Sequence, residues 1–361
     1  MKPFSAFASL PGRLLLGSAA ALTLLACDPD NDPTPDSQPI VTNSVYIVNE
    51  GNFTRSNAEI SLFSKASSSV TNKSLFSSAN GRSLGDIAQS MAVRDSLGYI
   101  VVNNSNKLEV VSLARFKSKA TIENLKLPRY FVAASSEKGY VTETVSYSTA
   151  SGQVSVIDLK TNKVTRSIAV GKQPEKLAVV GSRLYVTNNG DNTVTVINTT
   201  TDVVEGTITV GDGPNSVVAD RNGRVWVLSS GKIVYTTTGS TRVSKGSLSQ
   251  IVPGQLTATT REMPSDQSSP GRLTINGSLD QLYYTYLGGV YTLNINEATL
   301  PTKPLIKRGS FYGLGVDPQD GTIYGGLASF TASDKVIRFK STGAAIDSFT
   351  VLAGPNGFVF Y

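Results

Sequence analysis

The sequence predicts an all-β fold, a seven-bladed β-propeller of four-stranded antiparallel blades over residues 44–361. Three observations indicate it. Residues 154–174 recur as residues 194–214, a repeat of 40 residues. A bulky aromatic residue among β-branched residues occurs seven times at comparable intervals. The strand pattern also begins with the second strand of a repeat unit and ends with the first strand of a unit. We therefore expect Phe358–Tyr361 to pair beside Tyr46 and complete the N-terminal blade.

Each repeat unit contains four short runs that we name strands A to D. In the clearest unit they are residues 174–180, 183–188, 193–199 and 204–210. Apolar and polar residues alternate within the runs, and Asn, Asp, Gly and Thr separate them, which is typical of short antiparallel strands. A β-solenoid is the alternative architecture, but a solenoid needs capping ends rather than complementary ones.

Strands A and B can be counted independently. The strand B aromatics are Tyr46, Tyr99, Tyr140, Tyr185, Trp226, Tyr284 and Tyr324. Strand A candidates begin at residues 90, 129, 174, 214, 271, 312 and 355. Both counts give seven. Two intervals between strands B are longer than the repeat, so residues 53–86 and 235–270 should form long hairpins or loops on blades one and five.

The N-terminal residues predict export and anchoring. Residues 1–26 read as a signal peptide, and Leu24-Leu25-Ala26-Cys27 resembles the bacterial lipobox, which implies cleavage before Cys27 and its lipidation. An ordinary secreted protein is the alternative. Residues 27–43 form an acidic, proline-rich tether that resembles the surface-export signal of Bacteroidota lipoproteins, with a plain linker as the alternative. We therefore expect an outer-membrane lipoprotein facing the cell surface, or alternatively the periplasm.

Composition excludes several chemistries. The chain has no histidine, and Cys27 is its single cysteine, so a histidine base, a Ser-His-Asp triad, a histidine zinc site and a cysteine nucleophile are all excluded. No run of Lys and Arg with interleaved aromatics occurs, so nucleic-acid binding is not expected. We expect no cofactor and no metal site.

A propeller presents its D–A and B–C connections on one face, where loops on a rigid scaffold meet ligands. Carboxylates, guanidinium groups, amides and rings converge there and suit a polar organic ligand. Asn is also an ordinary turn residue. The candidate ligand-binding residues are Glu50, Asn52, Asn104, Arg129, Tyr130, Glu143, Glu175, Asn188, Asn189, Asn215, Arg272, Tyr286, Tyr312 and Asn356.

Leu184-Tyr185-Val186-Thr187-Asn188, with the 40-residue interval, resembles the YVTN-type propeller repeat of bacterial surface and periplasmic proteins. The Gly-His and Trp-Asp pairs of WD40 blades are missing from the sequence. The opening VYIVNEGNF resembles surface lipoprotein propellers of Bacteroidota, some of which accompany outer-membrane transporters and one branch of which captures cobalamin. The resemblance implies a non-catalytic protein, monomeric outside its transporter complex, that passes a polar ligand such as a cobamide to a TonB-dependent transporter.

Two other functions stay open at this point. Glu50, Asn104, Asn188 and Asn189 could supply oxygen ligands for calcium, as in propeller lactonases, which the pattern also resembles. A scaffold that binds a protein or a glycan through a blade face is the third reading.

Overall fold

The computed structural model describes residues 42–147, 151–331 and 333–361. These residues lie in one compact unit that covers residues 38–361. The predicted signal peptide, Cys27 and nearly all of the predicted tether lie outside the described residues. Among the residues described, no helix has the length and apolar character needed to cross a membrane.

The first half of the described chain consists of short strands and one short helix. Its elements are β1 (Ser44–Asn49), β2 (Glu59–Ser64), β3 (Ser69–Asn72), α1 (Leu75–Asn80), β4 (Ala88–Arg94), β5 (Leu97–Val102), β6 (Lys107–Ser112), β7 (Ser118–Ile122), β8 (Pro128–Ala133), β9 (Lys138–Glu143), β10 (Gln153–Asp158), β11 (Lys163–Ala169), β12 (Pro174–Val180), β13 (Arg183–Asn188), β14 (Thr193–Asn198) and β15 (Val203–Thr209).

The second half of the described chain continues the same pattern. Its elements are β16 (Pro214–Ala219), β17 (Val225–Ser229), β18 (Ile233–Thr236), β19 (Gly239–Arg242), β20 (Ser247–Ile251), β21 (Ala258–Glu262), β22 (Gly271–Ile275), β23 (Gln281–Tyr286), β24 (Gly289–Asn294), β25 (Gly313–Val316), β26 (Ile323–Leu327), β27 (Asp334–Phe339), β28 (Ala345–Val351) and β29 (Pro355–Phe360).

Seven antiparallel sheets form the blades of a propeller, which confirms the predicted fold. In order they are β29-β1-β2-β3, β4 to β7, β8 to β11, β12 to β15, β16-β17-β20-β21, β22 to β24, and β25 to β28. Strands β4, β8, β12, β16, β22, β25 and β29 contact one another in a closed ring. These are the predicted A strands, and the ring that they form surrounds a central channel.

The ring closes as predicted, because β29 completes the first blade. It pairs antiparallel with β1, with Phe358 opposite Ile47 and Phe360 opposite Val45. Ser44 and Tyr361 exchange both backbone hydrogen bonds, at 2.9 and 3.0 Å. The rings of Phe358 and Phe360 lie 5.7 and 5.3 Å from the ring of Tyr324 in blade seven. The strand β29 therefore joins the last blade of the propeller to the first.

The hydrophobic core lies between neighbouring blades. All seven strand B aromatics are buried, and Trp226 is fully enclosed. The outer D strands, such as β11 and β15, are largely exposed. Burial decreases from strand B to strand D because strand B has a neighbouring strand on both sides and a neighbouring blade on both faces.

Blade six differs from the others because it has three strands. In place of a fourth strand, a single bridge joins Val290 and Ile306. Pro301 and Pro304 precede that bridge, and a proline lacks the N–H that a strand ladder requires.

The prediction that the two insertions form long hairpins or loops was partly wrong. On blade one the extra residues include helix α1, whose Phe76 is buried and whose Phe76 and Ser77 N–H groups donate to the Glu59 carboxylate at 2.8 and 3.0 Å. On blade five the insertion is the hairpin β18–β19, which joins strands B and C. The later residues of the predicted insertion, β20 and β21, are ordinary blade strands.

Glu109 on β6 illustrates how buried charge is satisfied between blades. Its carboxylate is fully buried and accepts hydrogen bonds from Arg82 at 2.6 Å and from Lys107 at 2.8 Å. Burial alone would raise the pKa of Glu109, but these bonds outweigh burial and lower it. A carboxylate whose folded pKa is lowered stabilises the fold above its unfolded pKa, and that contribution is lost as the pH falls through the folded pKa.

We expect Glu109→Gln to lower the free energy of unfolding at pH 7 by about 3 kcal/mol, because it leaves two cations without their buried partner. The deficit relative to wild type should begin to shrink below about pH 4, the ordinary pKa of an unfolded glutamate, and should vanish once the pH has passed through the lowered folded pKa. Denaturant unfolding across pH measures both effects. Asp95→Asn is the control, since that exposed ion pair with Arg94 should contribute under about 1 kcal/mol. A constant deficit at every pH would contradict the prediction.

Candidate functional site

The channel mouth is built from irregularities at the start of the A strands. In six blades the pairing between strand A and strand B shifts register near the first residues of strand A. In a regular strand, consecutive side chains point to opposite faces, whereas a bulge redirects them. The residues placed at these shifts include Arg129 and Tyr130 on β8, Glu175 and Lys176 on β12, and Arg272 on β22.

A cavity of about 310 Å³ occupies the mouth. Nine of the fourteen predicted residues line it. They are Glu50, Arg129, Tyr130, Glu175, Asn189, Asn215, Arg272, Tyr312 and Asn356. The structure thus brings most of the predicted set together at one place, while ligand contact by these residues stays a prediction. Gln89 and Lys176, which were not among the predicted residues, also line the cavity.

Arg129 is held in place by its neighbours. Its guanidinium forms an ion pair with Glu175, with an Nη2–Oε1 distance of 2.8 Å, and its Nη1 donates to Gln89 Oε1 at 2.6 Å. The Gln89 amide in turn donates to the Tyr130 hydroxyl at 3.2 Å. Arg129 and Glu175 therefore largely neutralise each other, and the Arg129 charge is already engaged.

Glu50 lies on the opposite side of the mouth, where the Tyr312 hydroxyl donates to its carboxylate. Burial raises the pKa of Glu50, and the Tyr312 hydrogen bond and the positive charges of Arg129 and Arg272 offset only part of that rise. Burial and the neighbouring Glu50 carboxylate also raise the pKa of Tyr312.

Arg272 is conformationally unusual. Its φ of 58° lies in the left-handed region, which residues other than glycine seldom occupy and which is enriched at functional sites. Its guanidinium carbon lies 4.8 Å from the centre of the Tyr312 ring, a cation–π contact. In the described ranges Arg272 makes no ion pair. Its charge faces the mouth, where the Glu50 carboxylate interacts with it electrostatically without forming a direct ion pair.

Lys176 is the second cation at the mouth without an ion pair. Its ammonium lies 5.8 Å from the centre of the Tyr130 ring, and within the part of the chain that is described it forms no ion pair, although the neighbouring Glu175 carboxylate acts on its charge. Burial, together with the charge of Arg272, lowers the pKa of Lys176 to about 8. Since a buried ammonium favours an anionic partner, Lys176 and Arg272 together define a site for negative charge.

Lys176 was not predicted from the sequence because it directly follows Glu175, which was already assigned to the mouth. Alternation along a regular strand would direct one of the two side chains away from the channel, and only the register shift brings both to it. A proline begins β8, β12, β16 and β29, just before the mouth residues, and this signal could have located the shift.

Five predicted residues lie away from the cavity, and three of these are buried inside the blades. Glu143 accepts hydrogen bonds from the Lys126 N–H at 2.5 Å and from Ser155. The Asn188 amide donates to Thr193 and Thr195, each at 3.0 Å. Tyr286 is buried against the Ser265 backbone, to which its hydroxyl donates at 2.6 Å. The structure thus places these three residues away from the mouth, because strand B lies one strand further from the axis than strand A.

The other two lie in outer loops. Asn52 donates to the Phe330 carbonyl at 2.7 Å and pairs with Asn57. Asn104 donates to the Asp86 carboxylate at 2.5 Å. Both amides organise turns, as turn residues do. Neither residue belongs to the mouth.

The proposed calcium ligands do not converge. Glu50 and Asn189 line the mouth, whereas Asn104 and Asn188 are engaged elsewhere. Within the described residues no cluster of three or more acidic or other metal-binding side chains is found.

A larger polar groove of about 900 Å³ adjoins the mouth. It runs between the turns of blade four and the hairpin β18–β19, and Asn189 lines both cavities. The hairpin exposes Val234 and Tyr235, the latter by 77%. It therefore adds an exposed apolar surface to the face that carries the mouth.

The chain belongs to the family defined by DUF5074, a domain of unknown function, whose profile matches residues 43–357. No match was found among curated proteins. This family membership does not identify a ligand, and the YVTN-type resemblance stays a prediction.

Several solved structures share the fold at low identity. A functionally unknown protein from Desulfotomaculum acetoxidans is 12% identical with a TM-score of 0.67, over 88% of this chain and 98% of that one. A quinoprotein alcohol dehydrogenase-like protein from Bacteroides thetaiotaomicron is 13% identical with a TM-score of 0.66, over 89% and 78%. A periplasmic gluconolactonase from Pseudomonas aeruginosa is 12% identical with a TM-score of 0.63, over 87% and 98%. This similarity establishes a shared architecture.

Proposed function

We propose that this protein is a non-catalytic capture lipoprotein that binds a polar organic anion at the propeller mouth. The observation that carries the proposal is the pair Lys176 and Arg272, two cations without ion pairs at the mouth. Glu50, Asn215 and Asn356 surround them with hydrogen-bonding groups on a rigid hub. A few polar groups that converge on a concave site orient a ligand and give it specificity.

The anchoring part of the proposal comes from the sequence. A lipidated Cys27 and an acidic tether would hold the propeller at the outer membrane, facing the cell surface, beside a TonB-dependent transporter. The hairpin β18–β19 supports a transporter contact, because Val234, Tyr235 and Val243 are exposed next to the mouth. The captured ligand would then leave the mouth directly toward the transporter.

A cobamide is the first ligand to test, because the opening strand resembles cobalamin-capturing propellers and the ligand carries amides and a phosphate. We expect cyanocobalamin to co-elute in gel filtration with the purified unit of residues 38–361, and to do so less with Lys176→Met. Lys163→Met is the control, since this exposed lysine lies on the outer strand β11 and lines neither the mouth nor the adjoining groove. A red chromophore that never co-elutes with wild-type protein excludes the cobamide.

A lactone hydrolase is the second candidate, favoured by the architecture shared with a gluconolactonase and by Glu50, whose pKa burial raises. The geometry favours it less, because the other mouth carboxylate, Glu175, is already paired with Arg129. If the protein hydrolyses a lactone in the presence of calcium and Glu50→Gln abolishes that activity, the hydrolase function would replace the proposed capture function.

A further inference from the structure

A second cavity, of about 470 Å³, continues from the mouth into the channel. Its volume falls within the roughly 300–1,000 Å³ of small-molecule sites. Gln89, Tyr130, Lys176, Arg272 and Asn356 line both this cavity and the mouth. The far end is formed by turns of blades six and seven, around Leu279 and Pro318. The two cations therefore lie where the mouth and the channel meet.

The channel below these cations is lined mainly by apolar residues. Its lining includes Met91, Ile275, Leu314, Val316, Phe358 and Phe360, together with the polar residues Ser90, Thr274 and Asn276. Leu314, Phe358 and Phe360 are only partly buried, although they belong to the innermost strands. Apolar side chains on an open channel wall are stabilised by an apolar occupant, because contact with water disfavours them.

We propose that the ligand is an amphiphilic organic anion, whose charged group is bound by Lys176 and Arg272 and whose apolar part fills the channel. The proposal rests on the proposed function for the charged group and adds the apolar part. A compound with both characters matches the polar mouth and the apolar channel at the same time. A purely hydrophilic anion would leave the channel wall in contact with water.

Gly357 offers a way to block the channel. It lines the cavity, and a Cβ at this position would have its nearest neighbour, a Val48 side-chain atom, at 3.6 Å, an ordinary contact. Alanine therefore fits, whereas leucine at this position would extend into the cavity. Gly357→Leu and Gly357→Ala form a matched pair that differs in how much of the channel is filled.

The test is a calorimetric titration of the unit of residues 38–361 with butyrate, octanoate and octylammonium. We expect octanoate to bind at least tenfold more tightly than butyrate, because each buried methylene contributes about fourfold. Octylammonium, of equal length and opposite charge, should bind at least tenfold more weakly than octanoate. Gly357→Leu should reduce octanoate binding to the level of butyrate, and Gly357→Ala should retain it.

Equal affinities for butyrate and octanoate would overturn the channel proposal, as would octylammonium binding as tightly as octanoate. The comparison of chain lengths on wild-type protein does not depend on whether Gly357→Leu folds. If the protein prefers octanoate to butyrate but does not bind cyanocobalamin, the channel proposal is supported and only the cobamide is excluded as the ligand. If neither butyrate nor octanoate binds, the channel proposal is wrong. If cyanocobalamin also does not bind, the proposed capture function is wrong as well.

Discussion

A chain that lacks Pro355–Tyr361 is expected to lose cooperative folding. Deletion removes β29, and with it the pairing to β1, the ring contacts of Phe358 and Phe360 to Tyr324, and the Asn356 hydrogen bonds of 3.0 and 3.2 Å to the Ala88 and Gln89 carbonyls. Three blades lose contacts at once, and β1 becomes an open edge. We expect no single sharp transition in thermal unfolding monitored by circular dichroism.

A circular permutant provides the control for this deletion. Ser44 and Tyr361 form a hydrogen-bonded pair, so an Asn-Gly turn can join them as a two-residue hairpin. Placing residues 355–361 and this turn ahead of Ser44 restores the strand at the other end of the chain. The permutant should recover one cooperative transition. A truncated chain that unfolds at the wild-type temperature would show that closure by β29 is unnecessary.

The repeat made the fold predictable, because the strand pattern of a blade stays recognisable even where the blades differ in sequence. Strand B needs a buried aromatic and strand A needs a short apolar run, and both signals recur even where the 40-residue interval is lost. Helix α1 was missed since its single buried residue, Phe76, leaves no helical periodicity to detect. The missing fourth strand of blade six is a similarly local effect of two prolines.

The site was less predictable than the fold. The D–A positions were correctly grouped because strand A must surround the axis. Of the B–C positions, Glu50 and Asn189 reach the mouth. Most others do not, because residues such as Glu143 and Asn188 end strands whose side chains point into the blades. Sequence cannot separate a turn amide such as Asn104 from a ligand-binding amide, since both residues have the same chemistry. The register shift that brings Lys176 to the mouth directly follows Pro174, and the proline that begins four of the A strands is a signal that sequence reasoning did not use.

Replacing Lys176 by methionine is expected to weaken octanoate binding at least thirtyfold. Removing one member of a buried charged pair costs at least about 2 kcal/mol, which corresponds to about thirtyfold in the dissociation constant. Methionine keeps most of the side-chain volume and removes the charge. Lys163→Met makes the same change in net charge at an exposed residue on the outer strand β11 and should leave the affinity within about threefold. Equal losses in both variants would indicate general electrostatics rather than a site.

The pH dependence of octanoate binding isolates Lys176 from its neighbours. Arginine guanidinium groups stay charged throughout, Glu175 is paired with Arg129, and the pKa values of the Tyr130 and Tyr312 hydroxyls are raised above their ordinary range. Burial raises the pKa of Glu50, so the titrations are carried out in a Glu50→Gln background, which removes that group. The ammonium of Lys176, with a pKa of about 8, is then the group expected to titrate between pH 7 and 9.5 at the mouth. Because the anion binds the charged form, affinity should be highest at pH 7 and fall by up to tenfold per unit above pH 8, until the raised pKa of the complex is reached. Lys176→Arg, which stays charged, should flatten this profile, and a profile that falls equally in both proteins would assign the titration to another group.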